Sequence, residues 1–337
     1  MRTEATLEQW KTLYELTLQL KAMEPWRFFE NLDLLAVNLP DNDPVYISIL
    51  GKYGLNYGIN LYQGNDALLS FLDLVWHEQS GIPKQYLYFN QDVLCCEFGN
   101  REDVPTEQYK VIKSLGYRFR GKNQWVFFSS LKPYFQPYLP DQDEVIKMTQ
   151  VFEQLIPLVE SYINGEYRPD FANSEILIRK YDQELDEWSN EVETLQLKGW
   201  KATVIEVDPN AEMYQWLETR PMVEAELELD MNFLYSSIHE LEDTYGRPIN
   251  PKIILMTDHI DGYILHHELI TDPNEEHDTI FKTLLSFFEK FGIPKAIHFR
   301  LPVIGHLLEE LSAFLRFELI FSQDLPASDA FYQELFQ

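Results

Sequence analysis

The chain has 337 residues, of which 45% are apolar and 14% aromatic, so it is too hydrophobic for a disordered protein and long enough for two domains. Its 27 basic residues stand against 55 acidic ones, which gives a formal charge of -28. That charge repels phosphate backbones and anionic lipids, and it argues against general binding to nucleic acid or to membrane surfaces.

The first half of the chain predicts a helix followed by antiparallel strands. Apolar residues recur at helical spacing from Trp10 to Met23, and we expect this helix to end before Pro25. Short apolar runs between turn residues then predict strands, at residues 34–39, 45–50, 57–62, 86–90, 93–98, 117–119 and 124–129. Later helices are predicted at residues 65–76, 106–115 and 141–162.

Residues 108–140 are the one clear break in this acidic composition, because they contain several cations and no carboxylate. A basic surface of this kind attracts acidic groups. Trp125 lies among the cations in a predicted strand. We therefore predict an interaction surface formed by Lys110, Lys113, Arg118, Arg120, Lys122 and Trp125.

The charge is divided unevenly, with a net -7 over residues 1–168 and -21 over residues 169–337. This step coincides with Gly165 and Pro169, so we expect a linker at residues 164–173. The prediction is an N-terminal domain at residues 1–165 and an acidic C-terminal domain at residues 172–337.

The second half predicts alternating strands and helices. Strands are expected at residues 175–181, 200–207, 223–229, 252–257, 262–270, 296–299 and 318–321. Helices are expected at residues 208–219, 276–291 and 304–314. The predicted fold class is α+β with two domains, an N-terminal antiparallel sheet with flanking helices and a mixed C-terminal α/β domain.

Cys95 and Cys96 are the only cysteines, and they are adjacent in an apolar run. Neighbouring residues on a strand point to opposite faces, so a bridge between them would be strained, and we expect two inert thiols in a reducing compartment. The first thirty residues lack the apolar core of a signal peptide, and no stretch has the ~18 apolar residues of a membrane span. The expectation is a soluble, cytoplasmic protein.

Two stretches resemble a known family. The glycines and aromatics from Trp26 to Gly64 and the pattern Lys110-x-x-Lys113-x-Leu115-Gly116-Tyr-Arg-Phe-Arg-Gly121-Lys-Asn-x-Trp125 form the first. The second is Pro251-Lys-Ile-Ile-Leu-Met-Thr-Asp258-x-x-x-Gly262 with Phe291-Gly292-Ile-Pro294 and Asp324-Leu325-Pro326. They resemble a family of uncharacterised bacterial proteins in which an α+β domain of unknown function precedes a second domain of unknown function. The resemblance implies no activity, cofactor or catalytic residue.

The C-terminal order of strand, glycine turn, strand, helix, Phe-Gly-Ile-Pro, strand, helix and strand also resembles ribonuclease H-like folds. In those folds, carboxylates on the first and fourth strands and on a later helix bind two metal ions. Asp258 occupies the position of the first carboxylate in this alignment of elements. Arg300 follows residues 296–299 where an acid would be needed, so the resemblance implies at most a catalytically inactive relative.

Other patterns favour structural roles over sites. The spacing from Gly116 to Lys122 fits a phosphate-binding loop, but Asn123 replaces the required hydroxyl and the helix comes before the loop instead of after it. Residues 125, 127 and 128 are aromatic and lie beside cations, as in single-strand binding surfaces, yet core packing of the rings with solvated cations explains the pattern equally simply. We predict the structural role in both cases.

Two further patterns contain possible metal ligands. Alternation places Glu224, Glu226, Glu228 and Asp230 on one face of a strand, and we predict a solvated face because calcium ligands usually converge from a loop. Histidines and carboxylates also bracket one predicted turn, at Asp258, His259, Asp261, His266 and His267. No His-x-x-x-His helix or cysteine pair accompanies them, so we predict surface and half-buried histidines at a hairpin and no metal.

The sequence as a whole favours a non-catalytic interaction or adaptor module without a cofactor. Its basic surface would meet an acidic partner, either another protein or the chain's own acidic half. The alternative is a degenerate or divergent metal-dependent hydrolase or nuclease that uses Asp258 and Asp261. Convergence of these two carboxylates with a third acid in a cleft would favour the alternative.

Overall fold

A computed structural model describes residues 2–40, 43–200, 203–239 and 242–336. The helices are α1 (Leu7–Met23), α2 (Gly64–Val75), α3 (His77–Ser80), α4 (Lys84–Phe89), α5 (Thr106–Ser114), α6 (Gln142–Ile163), α7 (Glu212–Glu218), α8 (Glu242–Tyr245), α9 (Glu276–Lys290), α10 (Pro302–Leu315) and α11 (Pro326–Leu335). None of these helices combines the length and apolar character needed to cross a membrane. The strands are β1 (Leu35–Asn38), β2 (Val45–Leu50), β3 (Tyr57–Gln63), β4 (Val93–Gly99), β5 (Trp125–Leu131), β6 (Glu175–Asp182), β7 (Glu187–Thr194), β8 (Met222–Phe233), β9 (Lys252–Asp258), β10 (Ile264–Ile270), β11 (Ile293–Phe299) and β12 (Glu318–Phe321).

The chain forms two compact units, each with its own sheet. The first unit consists of Met1–Phe71, Gln91–Gly199 and Thr244–Gly246. The second unit consists of Leu72–Asn90, Trp200–Asp243 and Arg247–Gln337. This division confirms the predicted α+β class with two mixed helix and sheet units.

The first unit is built on a seven-stranded sheet in the order β5-β4-β3-β2-β1-β6-β7. Its neighbours are antiparallel except for β1 and β6, which run parallel. Helices α1 and α6 lie against each other and bury their apolar stripes in the same core as the strands. A capping box between Thr6 and Gln9 begins α1, and Glu24 in a left-handed conformation ends it before Pro25, as predicted.

The linker predicted at residues 164–173 lies between α6 and β6. Residues 175–194 form β6 and β7, and β6 pairs with β1. Strands β6 and β7 therefore complete the sheet of the first unit, although they follow the predicted linker. The change in charge composition near residue 168 does not coincide with the end of this sheet. A separation into domains at residues 1–165 and 172–337 remains a prediction.

The second unit is built on a five-stranded sheet in the order β10-β9-β8-β11-β12. Strands β8, β9 and β10 are antiparallel neighbours, whereas β8, β11 and β12 run parallel. Strand β8 is central, so its two faces are both available for burial. Its apolar residues Leu227, Leu229 and Met231 alternate with the carboxylates and point to the opposite face.

Three predicted strands are wrong. Residues 86–90 lie largely in helix α4, where Tyr86 and Leu87 are buried, although the aromatic residues of this segment also suit a strand. Residues 117–119 form no strand, although Tyr117 and Phe119 pack their rings against the core. Residues 203–207 also lie outside any strand, and residues 201 and 202 of that prediction fall outside the described chain.

Candidate functional site

The central strand β8 carries a row of carboxylates that passes from solvent into the interior. Glu224 is exposed and Glu226 is partly exposed, whereas Glu228 and Asp230 are each 0% exposed. The predicted solvated face is therefore wrong for the inner half of the strand. Helix α11 contacts β8 and β9 on this face, and a sequence alternation cannot show which element will cover it.

Glu228 is held by hydrogen bonds from three elements. Its Oε2 accepts from the backbone N and the hydroxyl of Ser328, both at 2.8 Å, and from the hydroxyl of Thr257 at 3.4 Å. Its Oε1 lies 3.0 Å from Nδ1 of His259 and accepts from the backbone N of Ala327 at 3.3 Å. A buried carboxylate needs such partners, and the N-terminal end of α11 supplies two backbone donors.

Asp230 and Asp329 share the guanidinium of Arg300. The Nε and Nη2 atoms of Arg300 donate to Oδ2 of Asp230 at 3.0 and 2.5 Å, and Nη1 donates to Oδ1 of Asp329 at 2.7 Å. The Arg300 side chain is only 3% exposed. Burial raises the pKa of Asp230 to about 6, against the opposing effect of Arg300. A cation of the chain itself therefore compensates these two carboxylates.

At the outer end of the same face, two histidines meet Glu226. The imidazoles of His259 and His298 are stacked, with centroids 3.8 Å apart and planes at 14°. Glu226 Oε2 lies 3.2 Å from His298 Nε2, and Glu226 Oε1 accepts from Lys295 Nζ at 2.6 Å. The hydrogen bonds from Lys295 and then from His298 lower the pKa of Glu226. Nδ1 of His298 lies 3.2 Å from the hydroxyl of Ser322.

These three side chains are able to hold a metal ion. Glu226, His259 and His298 each offer a ligand atom, and the three atoms lie within 4.8 Å of one another. Two imidazole nitrogens and one carboxylate oxygen suit first-row transition ions such as zinc.

A second buried ion pair lies on the other face of the sheet. Lys252 Nζ donates to Oε2 of Glu276 at 2.7 Å, and their side chains are 1% and 7% exposed. The ammonium also lies 5.0 and 4.8 Å from the ring centroids of Tyr86 and Phe233. Burial lowers the pKa of Lys252 well below its usual value and raises that of Glu276 to about 8. Both directions favour a neutral pair.

Asp258 and Asp261, the residues of the hydrolase alternative, belong to a turn between β9 and β10. Oδ1 of Asp258 accepts from the backbone N of Ile260 at 2.9 Å and of Asp261 at 2.6 Å. Asp261 is exposed. Within the described chain, neither carboxylate belongs to a cluster of three potential metal ligands. Only His259, which lies between them in sequence, reaches the site on β8.

The basic segment lies in the first unit. Lys110 pairs with Glu107 at 2.5 Å, and both side chains are exposed. The remaining four predicted cations are exposed and, within the described residues, form no ion pair: Lys113, Arg118, Arg120 and Lys122. These four cations form a positive surface that has no carboxylate partner in the described part of the chain.

Trp125 and its aromatic neighbours are turned towards the core. Trp125 is partly buried, 5.9 Å from the ring of Phe119 and 5.4 Å from the guanidinium of Arg101. Tyr117 stacks on Phe119 with centroids 5.6 Å apart and planes at 10°. The predicted structural role of Phe127 and Phe128 is confirmed, since they are 6% and 1% exposed.

The sequence alone did not identify the site on β8, although it contained part of the signal. It placed the β8 carboxylates on one face and singled out His259. It missed His298 and Arg300 as partners because β8 and β11 are neighbours only through a parallel pairing, in which His298 lies opposite Glu228. Knowing that β8 lies at the centre of the sheet, next to β11, would have placed His298 and Arg300 near the β8 carboxylates.

Two family models match the chain. One, described as Domain of unknown function (DUF7309), matches residues 10–179, and the other, Domain of unknown function (DUF6930), matches residues 213–336. Comparison with curated proteins found no match, and comparison with solved structures found none either. The first model covers half of the chain, so the protein belongs to the DUF7309 family, with a DUF6930 domain following.

Proposed function

We propose that this protein is a non-catalytic interaction module whose basic surface docks an acidic segment of a partner protein. The basic surface is the predicted set of Lys110, Lys113, Arg118, Arg120, Lys122 and Trp125. The observation that carries the proposal is the exposure of four of these cations without an ion pair in the described part of a chain of net charge -28. Cations left uncompensated in so acidic a protein are suited to an acidic ligand.

The surroundings of the basic surface favour a protein over a nucleic acid. Tyr117 and Phe119 pack against the core and against each other, so they offer no open platform on which bases could stack. The net negative charge of the chain repels a long phosphate backbone. A short acidic peptide is affected mainly by the nearby cations of the basic surface, because salt screens the more distant charges.

A cleft beside the basic surface offers a place for a partner side chain. It has a volume of about 500 Å³, and its lining includes Lys122, Lys21, Trp26, Tyr57 and Phe98. The one carboxylate of the lining, Glu24, is paired with Arg27 at 2.7 Å. Nζ of Lys21 donates to the backbone oxygens of residues 123 and 124 and lies 5.3 Å from the ring centroid of Phe98. The cleft therefore combines positive charge with aromatic surface, which suits an acidic segment that also carries an apolar anchor.

We also propose that the second unit is related to ribonuclease H-like folds. The support is its element order, with three antiparallel strands, then α9, β11, α10 and β12. In this arrangement β8 is the first strand, so Asp230 takes the place that the sequence assigned to Asp258. Asp329 on helix α11 takes the place of the carboxylate on the later helix. Arg300, directly after β11, stands where the carboxylate of the fourth strand would be.

The residues present do not fit the metal pair of such folds. Arg300 binds both Asp230 and Asp329, and its guanidinium fills the space between their carboxylates. A cation already supplied by the chain opposes the binding of a second one. This arrangement supports a non-catalytic role, and the turn position of Asp258 and Asp261 gives the hydrolase alternative no third acid among the described residues.

The proposal is tested with a fluorescent peptide of twenty glutamates as the acidic probe. We expect saturable binding that weakens as salt is added, because screening reduces the attraction between exposed charges. The triple variant Arg118→Glu, Arg120→Glu, Lys122→Glu should lose this binding. Fluorescence anisotropy measures both.

The matched control is Lys84→Glu, Lys198→Glu, Lys282→Glu, which changes three exposed lysines and the net charge by the same amount. Equal loss of binding in both triple variants would show that only net charge matters and would overturn the assigned surface. Tighter binding of single-stranded DNA than of the peptide by the unchanged chain would replace the protein partner with a nucleic acid.

A further inference from the structure

We propose that Glu226, His259 and His298 form a binding site for a divalent transition-metal ion, and that zinc is the ion that this donor set favours. Glu226 lies on β8 and His298 on β11, and His259 directly follows β9; in the sheet of the second unit, β8 lies between β9 and β11. This inference is independent of the basic surface and of the proposed docking function.

The spacing of the ligand atoms is close to that of a tetrahedral zinc site. Ligands about 2.0–2.1 Å from zinc at tetrahedral angles lie about 3.4 Å from one another. Glu226 Oε2 and His298 Nε2 are already 3.2 Å apart. All three ligand atoms lie within 4.8 Å of one another, and His259 has to rotate out of its stack on His298 to reach the same ion.

The surrounding groups orient the histidines as they do in metal sites. A carboxylate accepts hydrogen bonds, so Nδ1 of His259, 3.0 Å from Glu228, carries the proton and leaves Nε2 available. Nε2 of His298 faces Oε2 of Glu226 and donates to it, so a bound ion would have to replace the proton on Nε2. The hydroxyl of Ser322, 3.2 Å from Nδ1 of His298, can then accept the proton of Nδ1. The Glu228 carboxylate and the Ser322 hydroxyl thus orient the two imidazoles through their Nδ1 atoms.

Glu226 is also arranged for this role. Unlike the buried Arg300, Lys295 has a side chain that is 52% exposed, and it binds only Oε1, so it does not occupy Oε2, the atom that faces His298. The side chains of Glu226 and His298 are 22% and 10% exposed, so the site is reachable from solution. Three protein ligands leave a fourth position of the ion for water or for an incoming ligand.

The experiment uses Co²⁺ as a spectroscopic probe for the tag-free full chain. Binding at a four-coordinate site should give intense visible absorption bands, and Zn²⁺ should displace the cobalt and remove them. The variants His259→Ala, His298→Ala and Glu226→Gln should each lose the bands. Ser322→Ala, which removes only an orienting contact, should weaken Zn²⁺ binding about tenfold.

Matched controls separate the site from the rest of the surface. Glu224→Gln changes the preceding carboxylate on the same face of β8, and His306→Ala changes an exposed histidine on α10. Both should bind Co²⁺ as the unchanged chain does. Thermal unfolding in the presence of a chelator shows whether each variant is folded, and Ser322→Ala tests the site if a ligand variant fails to fold.

Three outcomes would overturn the proposal. The first is the absence of tetrahedral cobalt bands in the unchanged chain. The second is retention of the bands in folded His259→Ala and His298→Ala variants. The third is an equal loss of the bands in the Glu224→Gln and His306→Ala controls.

Discussion

The guanidinium of Arg300 connects two carboxylates in different surroundings, one fully buried and one at the surface. Asp230 is 0% exposed, whereas the side chain of Asp329 is 39% exposed. Loss of the arginine would leave Asp230 buried without its cation, which is far more costly than loss of an exposed pair. The same residue therefore compensates the charge of both carboxylates and stabilises this part of the fold.

We expect Arg300→Met to lower the free energy of unfolding by about 3–5 kcal/mol, because it leaves the buried carboxylate of Asp230 unpaired. Asp329→Asn should cost much less, since its side chain is partly solvated. Urea denaturation measures both. The double variant Asp230→Asn, Arg300→Met should recover part of the loss, and a cost for Arg300→Met no larger than that of the exposed control Arg118→Met would contradict this account.

The two cysteines should resist alkylation in the folded protein. Cys95 is 9% exposed and Cys96 is 0% exposed. Burial raises the pKa of Cys95 to about 12 and that of Cys96 well above its usual value, so the reactive thiolate is scarce near neutral pH. Mass spectrometry after iodoacetamide treatment at pH 8 should find no label without urea and two labels with it. Rapid labelling of the native protein would show that β4 opens locally.

At the scale of elements, the ion pair between Lys252 and Glu276 joins the start of β9 to the start of α9. The pair holds one proton whether the proton is on the lysine or has moved to the carboxylate. The unfolded chain also carries one proton on these two side chains between about pH 5 and 10. The pair as a whole therefore adds little pH dependence to stability over that range.

Glu276→Gln should make stability depend on pH. In the variant, burial still lowers the pKa of Lys252, so the unfolded chain binds a proton that the folded chain does not bind between the lowered pKa and about 10.4. The free energy of unfolding should then rise with pH in this window, by up to about 1.4 kcal/mol per pH unit. Urea denaturation at pH 7, 8 and 9 measures the slope. The neighbouring exposed change Glu275→Gln should keep the slope of the unchanged chain, and identical slopes in both variants would refute the argument.

Periodicity identified the long helices because each has one buried stripe, and a continuous apolar run identified strand β9, which is buried on both faces. Helices α1, α6 and α9 and strand β9 were all predicted within a few residues of their observed bounds. Periodicity failed for α4, which is short and has aromatic residues that also suit strands. It correctly placed the β8 carboxylates on one face but could not show that α11 covers that face.

The candidate site was less predictable than the fold because its parts are distant in sequence. Glu226, His259 and His298 come together only when the parallel pairing of β8 with β11 is known. Hydrophobic patterns identify strands without giving their neighbours. The basic segment was visible from sequence because its residues are consecutive, and its role as a docking surface remains a prediction.

At the scale of the whole molecule, the two units are assembled from alternating stretches of chain. Leu72–Asn90 belongs to the second unit, although sequence on both sides of it belongs to the first. Helix α4 in this stretch packs on β8, with Tyr86 and Phe89 at 5.6 and 5.8 Å from Phe233 between ring centroids. Gln85 adds a hydrogen bond to the backbone oxygen of Phe233 at 2.5 Å.

A chain of residues 200–337 alone should therefore fold poorly. It lacks α4, so Phe233 and Lys252 lose the aromatic cover supplied by Tyr86. We expect it to bind a hydrophobic dye and to unfold without a sharp transition, and attaching residues 72–90 through a glycine-serine linker should restore cooperative unfolding. A sharp urea transition in the shorter chain, followed by circular dichroism, would show that α4 is dispensable.

Because the two units alternate along the chain, they also become complete at different times during synthesis. The first unit has nearly all of its chain, including the complete seven-stranded sheet, once residue 199 has left the ribosome. Helix α4 emerges earlier still, but β8, its packing partner, is made only after the remaining strands of the first unit. The second unit must then close a long loop of chain to recover α4, a contact of high sequence separation that slows folding. Tyr86 and Phe89 of α4 therefore lack their packing partner Phe233 until the whole of β8 has been made.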